Sequence, residues 1–379
     1  MSKQEYLSSQ IITYIGNKRK LVTEIENEII KIKELLGRNL VSLDGFSGSG
    51  VVARMLKYHS DVLIVNDMER YSYIVNQCYL SNPTPKKREM INKYIDELNS
   101  LDYNTEGVIC KNYAPKDTKD IKEGERAFYT RENALIIDTI RKKIDDYPEE
   151  YFPFLIAPLL VKASINTNTS GVFKGFHKKK GIGHFGGKDE VNTESRIVKK
   201  IVLDKPIYSD QEHRCAMVHC NEDINELIFE TPELDVAYLD PPYNQHPYSS
   251  NYFMLNTILN NEEKDNLSKV SGIPDDWQKS NYNYKKKAHT SMEDLLKNIR
   301  ASYIIMSYND EGIISKEELI EIFEGLEYDW TLKEIEYQTY RGSRNLRDRN
   351  NKVTEYLWVL HKRYDIEEHY CIQPFDMWQ

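Results

Sequence analysis

From Leu21 to Leu36 the apolar residues Leu21, Ile25, Ile29, Ile32, Leu35 and Leu36 recur at helical spacing, and Gly37 ends the run. This predicts a helix with one buried stripe. The chain from Asn39 to Leu43 then reads as a short buried strand, Val51 to Tyr58 as a helix, Val62 to Val65 as a strand and Tyr71 to Leu80 as a helix. Strand and helix in alternation predict a parallel sheet with helices on both faces. From Lys86 to Ile165 the pattern is mainly helical, most clearly at Ala134 to Ile144. Between Asn166 and Asp210 periodicity fades, and Gly171, Gly175, Gly181, Gly183, Gly186 and Gly187 interrupt basic residues, which predicts loops and hairpins. Alternation resumes with strands at 216–219, 236–239 and 303–307 and helices at 224–229, 253–259, 292–300 and 316–323. Leu332 to Tyr340 and Val353 to Leu360 read as an antiparallel terminal pair. The expected architecture is α/β: a doubly wound, mainly parallel sheet with an antiparallel C-terminal hairpin. Its two parts, residues 1–85 and 211–379, flank a helical and basic loop insertion at 86–210.

A chain of 379 residues with 40% apolar content can bury a full core. Met1 to Gln10 lack the basic start and apolar run of a secretory signal, and no stretch approaches the roughly 18 apolar residues of a membrane span. A soluble, cytoplasmic protein without a membrane partner is expected. The five cysteines are scattered without CxxC spacing, so neither a disulfide framework nor a zinc site is expected. His177, His184 and His289 lie among lysines without paired acids, which suits solvent exposure or phosphate contact better than metal ligation.

The net charge of −9 argues in bulk against a nucleic-acid partner, because phosphate binding rests on Lys and Arg. Its distribution changes the picture. Between Lys162 and Lys205 there are ten Lys and Arg against four acids, among them the candidate contacts Lys174, Lys178, Lys179, Lys180 and Arg196. Lys279 to Lys287, which holds Lys285, and Arg341 to Lys352, which holds Arg344 and Arg347, are basic as well. A solvated face is the plainer reading of any one such run. Asn166, Asn168 and Thr169 are added as candidate readers of base edges, because they stand in the same glycine-rich, basic segment.

Two signals carry chemistry. Directly after the first strand comes Asp44-Gly45-Phe46-Ser47-Gly48-Ser49-Gly50, where the glycines let the backbone turn sharply and approach a ligand at a helix N-terminus. Nineteen residues beyond Gly48, at the end of the second strand, lies Asp67, at the distance where a doubly wound fold places an acid on ribose hydroxyls. The second signal is a buried strand, Val236 to Leu239, running into Asp240-Pro241-Pro242-Tyr243. Two prolines fix φ and remove two N–H donors, so the loop is rigid and its carbonyls stay free. It can set the Asp240 carboxylate and the Pro241 carbonyl as two acceptors before a planar amino group, with the Tyr243 ring as a stacking surface. A glycine-rich turn with an unrelated acid and a proline turn that merely ends a strand are the alternatives.

Asp240 to Tyr243 resembles the catalytic motif of the amino-methyltransferases that act on DNA, and Asp44 to Gly50 resembles their cofactor loop. Tyr14-Ile15-Gly16-Asn17-Lys18-Arg19-Lys20-Leu21 is similar to the N-terminal motif of the Dam-like (alpha-type) adenine methyltransferases, and the order of motifs is that of the same group. Asn244 to Tyr248, Asn251-Tyr252, Ser307 to Gly312 and Arg341 to Asn345 are similar to segments of the methyltransferases of FokI-type restriction-modification systems. The resemblance implies a Rossmann-like methyltransferase fold and S-adenosylmethionine as cofactor. It places the cofactor on Asp44, Phe46, Gly48 and Gly50, with Tyr14, Gly16, Asn17 and Lys18 closing the pocket, Asp67 on the ribose, and Asp223 and Ile224 near the adenine. Asp223 could equally be a plain helix cap.

The implied activity is methylation of N6 of an adenine flipped out of double-stranded DNA, with a cognate restriction endonuclease as possible partner and the segment at 86–210 reading the target. N4 of cytosine and an RNA amino group remain as alternatives, because they present the same kind of nitrogen. A catalytically inactive cofactor- or DNA-binding regulator on the same fold is the alternative from another class.

Overall fold

A computed structural model describes residues 3–9, 11–16, 18–186, 196–209, 214–338 and 352–362. The strands are β1 (Leu40–Asp44), β2 (Ser60–Asn66), β3 (Lys178–Lys179), β4 (Ile182–Gly183), β5 (Ala216–Cys220), β6 (Leu234–Leu239), β7 (Ala301–Asn309), β8 (Tyr328–Gln338) and β9 (Lys352–Lys362). Seven of them form one sheet in the order β5-β2-β1-β6-β7-β9-β8, and β3 with β4 make a separate hairpin. Neighbours from β5 to β7 run parallel, while β9 pairs antiparallel with both β7 and β8.

The alternation of side chains along β6 divides the core in two. Val236 and Tyr238 point to one face, where Leu40, Leu63, Val65, Ile305 and Leu357 meet the helices Val22–Leu36 and Val51–Leu56. Ala237 and Leu239 point to the other, with Leu43, Ile64, Ile304, Met306 and Trp358 under the helices Ala288–Asn298 and Lys316–Gly325. All six residues of β6 are buried, as expected of a central parallel strand covered on both sides. Each such aliphatic side chain contributes roughly 1.5–3 kcal/mol by leaving water.

The structure lengthens several predicted strands because polar residues join the pairing. Ser60 opens β2, where its Oγ bonds Ser42 Oγ and the Leu56 carbonyl, although its polarity hid it from an apolar pattern. A third core lies beside the sheet. It joins Arg70–Tyr79 to Pro85–Asn99, Arg131–Ile144, Phe152–Ile165 and Phe253–Asn260. The helical segment therefore packs on elements from both sides of it in sequence. Within 166–186 the regular structure is confined to the β3–β4 hairpin, whose two turn residues, Lys180 and Gly181, have φ of 52° and 87°. Positive φ at both positions matches the twist of a two-residue hairpin.

Gly50, at the N-terminus of Val51–Leu56, has φ of 72°, and a Cβ there would overlap Asn76 Oδ1. Asn76 in turn donates to Ser47 Oγ inside the turn. Gly50→Ala is expected to cost about 2–4 kcal/mol of stability through combined backbone strain and overpacking, read as a lowered urea midpoint at unchanged slope.

Candidate active site

The sheet reverses its direction of growth between β1 and β6, and ligands of doubly wound folds bind at the carboxyl ends of such a strand pair. The Gly45 amide donates to the Tyr238 carbonyl at 3.0 Å, so the glycine-rich turn and the loop after β6 leave the sheet side by side. Between them opens a cleft. Its lining includes Tyr14, Gly16, Lys18, Asp44, Phe46, Gly48, Asp67, Asp223, Ile224, Asp240 and Pro242, so the structure brings together most of the residues singled out in the sequence. Gly50 does not line it and instead shapes the turn from behind, against Asn76. Asn17 lies outside the described residues.

Gly48, with φ of 49°, leaves room for Tyr14: a Cβ there would stand 2.9 Å from the tyrosine ring. The turn is further tied by Ser72 Oγ, which donates to the Gly48 carbonyl, and by Asn66, whose side-chain amide donates to the carbonyls of Gly45 and Glu222. Asp67 accepts from the Gly48 amide at 2.6 Å and from the Glu69 amide at 2.8 Å, so its first task is to hold the turn. Each carboxylate oxygen retains a second lone pair for a ligand. Asp223 caps the helix Ile224–Leu227 through the Asn225 amide and also lines the cleft.

Asp44 is 1% exposed, and neither of its oxygens finds a hydrogen-bond partner among the described residues. Burial first, then Asp240 and Asp67, push its carboxyl well above the usual range, and the nearby Phe46 and Ala53 amides only partly oppose the rise. Glu69, on the same wall, is pushed up to about 8 by burial and by Asp67.

Lys18 lines the cleft and also makes contacts that were not foreseen. Its Nζ lies 2.9 Å from Asp240 Oδ1 and 3.0 Å from Glu355 Oε1, so it pairs with carboxylates at the head of β6 and on β9. Burial works to lower its pKa, but Asp240 and Glu355 outweigh it and hold the ammonium charged. The Tyr243 hydroxyl lies 2.6 Å from Asp240 Oδ1 and 2.8 Å from Glu355 Oε1, while its ring meets Tyr308 and lies under Lys18 Nζ. Tyr243 is thus bound into the site by both its ring and its hydroxyl. Pro241 is buried, and its carbonyl accepts no hydrogen bond among the described residues.

Sequence reasoning missed Glu355, Asn66, Glu69 and Asn283. Asn283 lines the cleft and donates to the Asn244 carbonyl, tying the 278–283 loop to the loop after β6. For Glu355 a signal existed: it is a charge on the inward face of a strand whose neighbours two residues away, Val353 and Leu357, are apolar and buried.

The basic segment is partly reassigned. Lys178, Lys179 and Lys180 are exposed on the β3–β4 hairpin, Lys285 is exposed ahead of Ala288–Asn298, and Lys174 is exposed with its Nζ 3.3 Å from His246 Nδ1. Asn166, Asn168 and Thr169, expected to read bases, are instead buried at 5%, 0% and 3% exposure. Asn166 donates to the Arg196 and Lys199 carbonyls, and Asn168 to those of Ala127 and His184. Arg196 is half-buried, its guanidinium donating to the Ile165 and Thr169 carbonyls. These side chains satisfy the main chain of an irregular segment and do not face a groove. Arg344 and Arg347 lie outside the described residues. Among the described residues no cluster of three His, Cys, Asp or Glu side chains is placed to hold a metal, and no helix is long and apolar enough to cross a membrane.

Comparison with known proteins places this cleft in a family. The model of the D12 class of N6 adenine-specific DNA methyltransferases matches residues 14–322. The chain is 32% identical over 316 residues to the type II methyltransferase M.CviAII of Paramecium bursaria Chlorella virus 1, which covers 82% of this chain and 86% of that protein. It is 29% identical over 366 residues to M.NlaIII of Neisseria lactamica, covering 93% and 100%. The modification methylase StsI of Streptococcus sanguinis is 31% identical over 366 residues, covering 92% of this chain and 52% of that protein. The match begins at Tyr14, on the cleft wall, and runs through both strand-end loops, so the chain belongs to the D12 class of N6 adenine-specific DNA methyltransferases.

Proposed function

We propose that this chain transfers a methyl group from S-adenosylmethionine to N6 of an adenine flipped out of double-stranded DNA, as the modification enzyme of a restriction-modification system. The observation that carries the reading is one cleft at the β1–β6 switch point walled by both Asp44 and Asp240. The relatives named as type II methyltransferases and modification methylases supply the biological setting, in which a cognate endonuclease is the implied partner.

The residues present fit the cofactor. A buried carboxylate without a partner, Asp44, calls for a cationic donor, and the cofactor's amino-acid end carries one. Asp67 would offer its remaining lone pairs to ribose hydroxyls and Asp223 and Ile224 would hold the adenine, while Tyr14, Gly16 and Phe46 complete the wall of the cleft. When bound, the cofactor supplies an electrophilic methyl group on a sulfonium.

Asp240 and the Pro241 carbonyl accept hydrogen bonds from the two hydrogens of the target amino group. This draws the nitrogen lone pair out of ring conjugation and orients it for attack. The base must leave the duplex, since that nitrogen is out of reach inside the stack. Asp240 or neighbouring water then takes the proton released after methylation, and the chain's contribution is positioning and preorganised charge. Residues 86–210 form the target-reading part on this account, with Lys174, the Lys178–Lys180 hairpin and Lys285 on the phosphate backbone and residues 1–85 and 211–379 as the catalytic domain.

Asp240→Ala is expected to abolish methyl incorporation into DNA while leaving cofactor affinity within about twofold, since its carboxylate serves the base. Labelled-methyl transfer and cofactor calorimetry read the two arms, and near-normal transfer would end the proposed mechanism. Asp67→Ala is expected to weaken cofactor binding by about 1–3 kcal/mol, because it loses both the ribose contact and the bond that holds Gly48. An unchanged dissociation constant would remove it from the site. Replacing Lys178, Lys179 and Lys180 together by Ala is expected to weaken binding to all DNA sequences alike and to flatten the slope of log affinity against log salt by about 2 to 3. An unchanged slope in filter-binding titrations would move the phosphate contacts elsewhere.

A further inference from the structure

Four atoms beneath the cleft lie in a ring, with Lys18 Nζ and Tyr243 Oη each within hydrogen-bond reach of one oxygen of Asp240 and one of Glu355. Lys18 Nζ, Asp240 Oδ1, Tyr243 Oη and Glu355 Oε1 follow one another at 2.9, 2.6, 2.8 and 3.0 Å. Each carboxylate enters with a single oxygen. Asp240 Oδ2 therefore stays outside the ring, and the Asp240 side chain keeps 18% exposure, whereas that of Glu355 keeps 1%.

The charges explain why a second carboxylate is there. Lys18 against Asp240 alone would be a neutral pair, and an ammonium free to swing between both oxygens would compete with the target base for the acceptor. Tyr243 has one hydroxyl proton and can serve only one carboxylate at a time. Glu355 holds Lys18 from the opposite side and shares the single Tyr243 proton with Asp240, so the ring holds two negative charges against one positive.

We infer that Glu355 is a positioning residue for methyl transfer: it anchors Lys18 and Tyr243 on one oxygen of Asp240 and so leaves the other oxygen, with its charge, for the amino group of the base. It acts from β9, a strand of the C-terminal antiparallel pair, where it stands opposite Asn309 of β7 and Ile335 of β8. The inference rests on the proposed catalytic role of Asp240.

The test is a double-mutant cycle in single-turnover transfer of labelled methyl from S-adenosylmethionine to adenine-unmethylated genomic DNA. Glu355→Gln, which keeps the shape and removes the charge, is expected to slow transfer about 10- to 100-fold with cofactor affinity within about twofold. Lys18→Met is expected to slow it as well, and the double variant to lose clearly less than the product of the two single losses, because Glu355 acts in part through Lys18. Glu355→Asp, which keeps the charge, is expected to recover part of the rate. It carries the same cycle if Glu355→Gln fails to fold. Multiplicative losses in the double variant, or weakened cofactor binding with unimpaired transfer, overturn the inference. An active wild-type chain whose Glu355→Gln variant transfers normally overturns it alone, whereas a wild-type chain that transfers no methyl group overturns the proposed function with it.

Discussion

The parallel pairing of β1 with β6 is the constraint on which the site depends. Leu43 lies opposite Ala237 and Asp44 opposite Tyr238, so two segments almost 200 residues apart in sequence end at one level of the sheet. The turn after β1 and the loop after β6 then have no direction open to them except the same crevice, because the chain turns away from the switch point on both sides. Shifting this register by one residue would turn Tyr238 and Leu239 to the wrong faces and separate Asp44 from Asp240.

That convergence concentrates negative charge. Asp44, Asp67, Glu69, Asp240 and Glu355 gather around one cleft, and Lys18 is the cation the structure sets among them. Burial in such company raises the carboxyls of Asp44, Asp67, Glu69 and Glu355, which means the folded chain holds these acids against an electrostatic cost. A ligand that carries positive charge relieves the cost on binding, and a sulfonium cofactor with an ammonium end is such a ligand. The acidity of the chain as a whole, which speaks against a polyanionic partner, is thus concentrated in part where the cofactor would sit, while exposed lysines line the hairpin.

The N-terminal segment is fastened across the cleft by aromatic packing. Tyr14 packs against both Tyr248 and Tyr252, with ring centroids 5.0 and 4.9 Å away, those two rings lie 6.1 Å from each other, and the Tyr252 hydroxyl accepts from the Ile15 amide. Tyr252 leads into Phe253–Asn260, which packs in the third core with the helices of the 86–165 segment. Helical lobe, N-terminal motif and the chain beyond Asp240 therefore meet on one cluster of rings. Lys18 reaches Asp240 from a segment held in this way, so the packing of these rings bears directly on the geometry of the Asp240 carboxylate.

The amino-acid sequence by itself determined the alternating α/β pattern, the glycine-rich turn with Asp67 beyond it, and the rigid loop at Asp240. Each is a local matter: apolar spacing sets which face is buried, and a strand end followed by glycine or proline sets where a loop must lie. Only the tertiary structure decided what those loops meet. Glu355 lies 112 residues beyond Tyr243 and joins it through strand pairing at the far side of β7, a relation that no spacing rule encodes. Lys18, read locally as part of a cofactor motif, is drawn to Asp240 because a buried ammonium settles on the nearest carboxylates. Asn166 and Asn168 turned inward for a like reason. The chain from 166 to 186 has little regular structure to satisfy its buried main chain, so polar side chains that composition placed at a groove were needed inside, and that need arises only once the segment is packed.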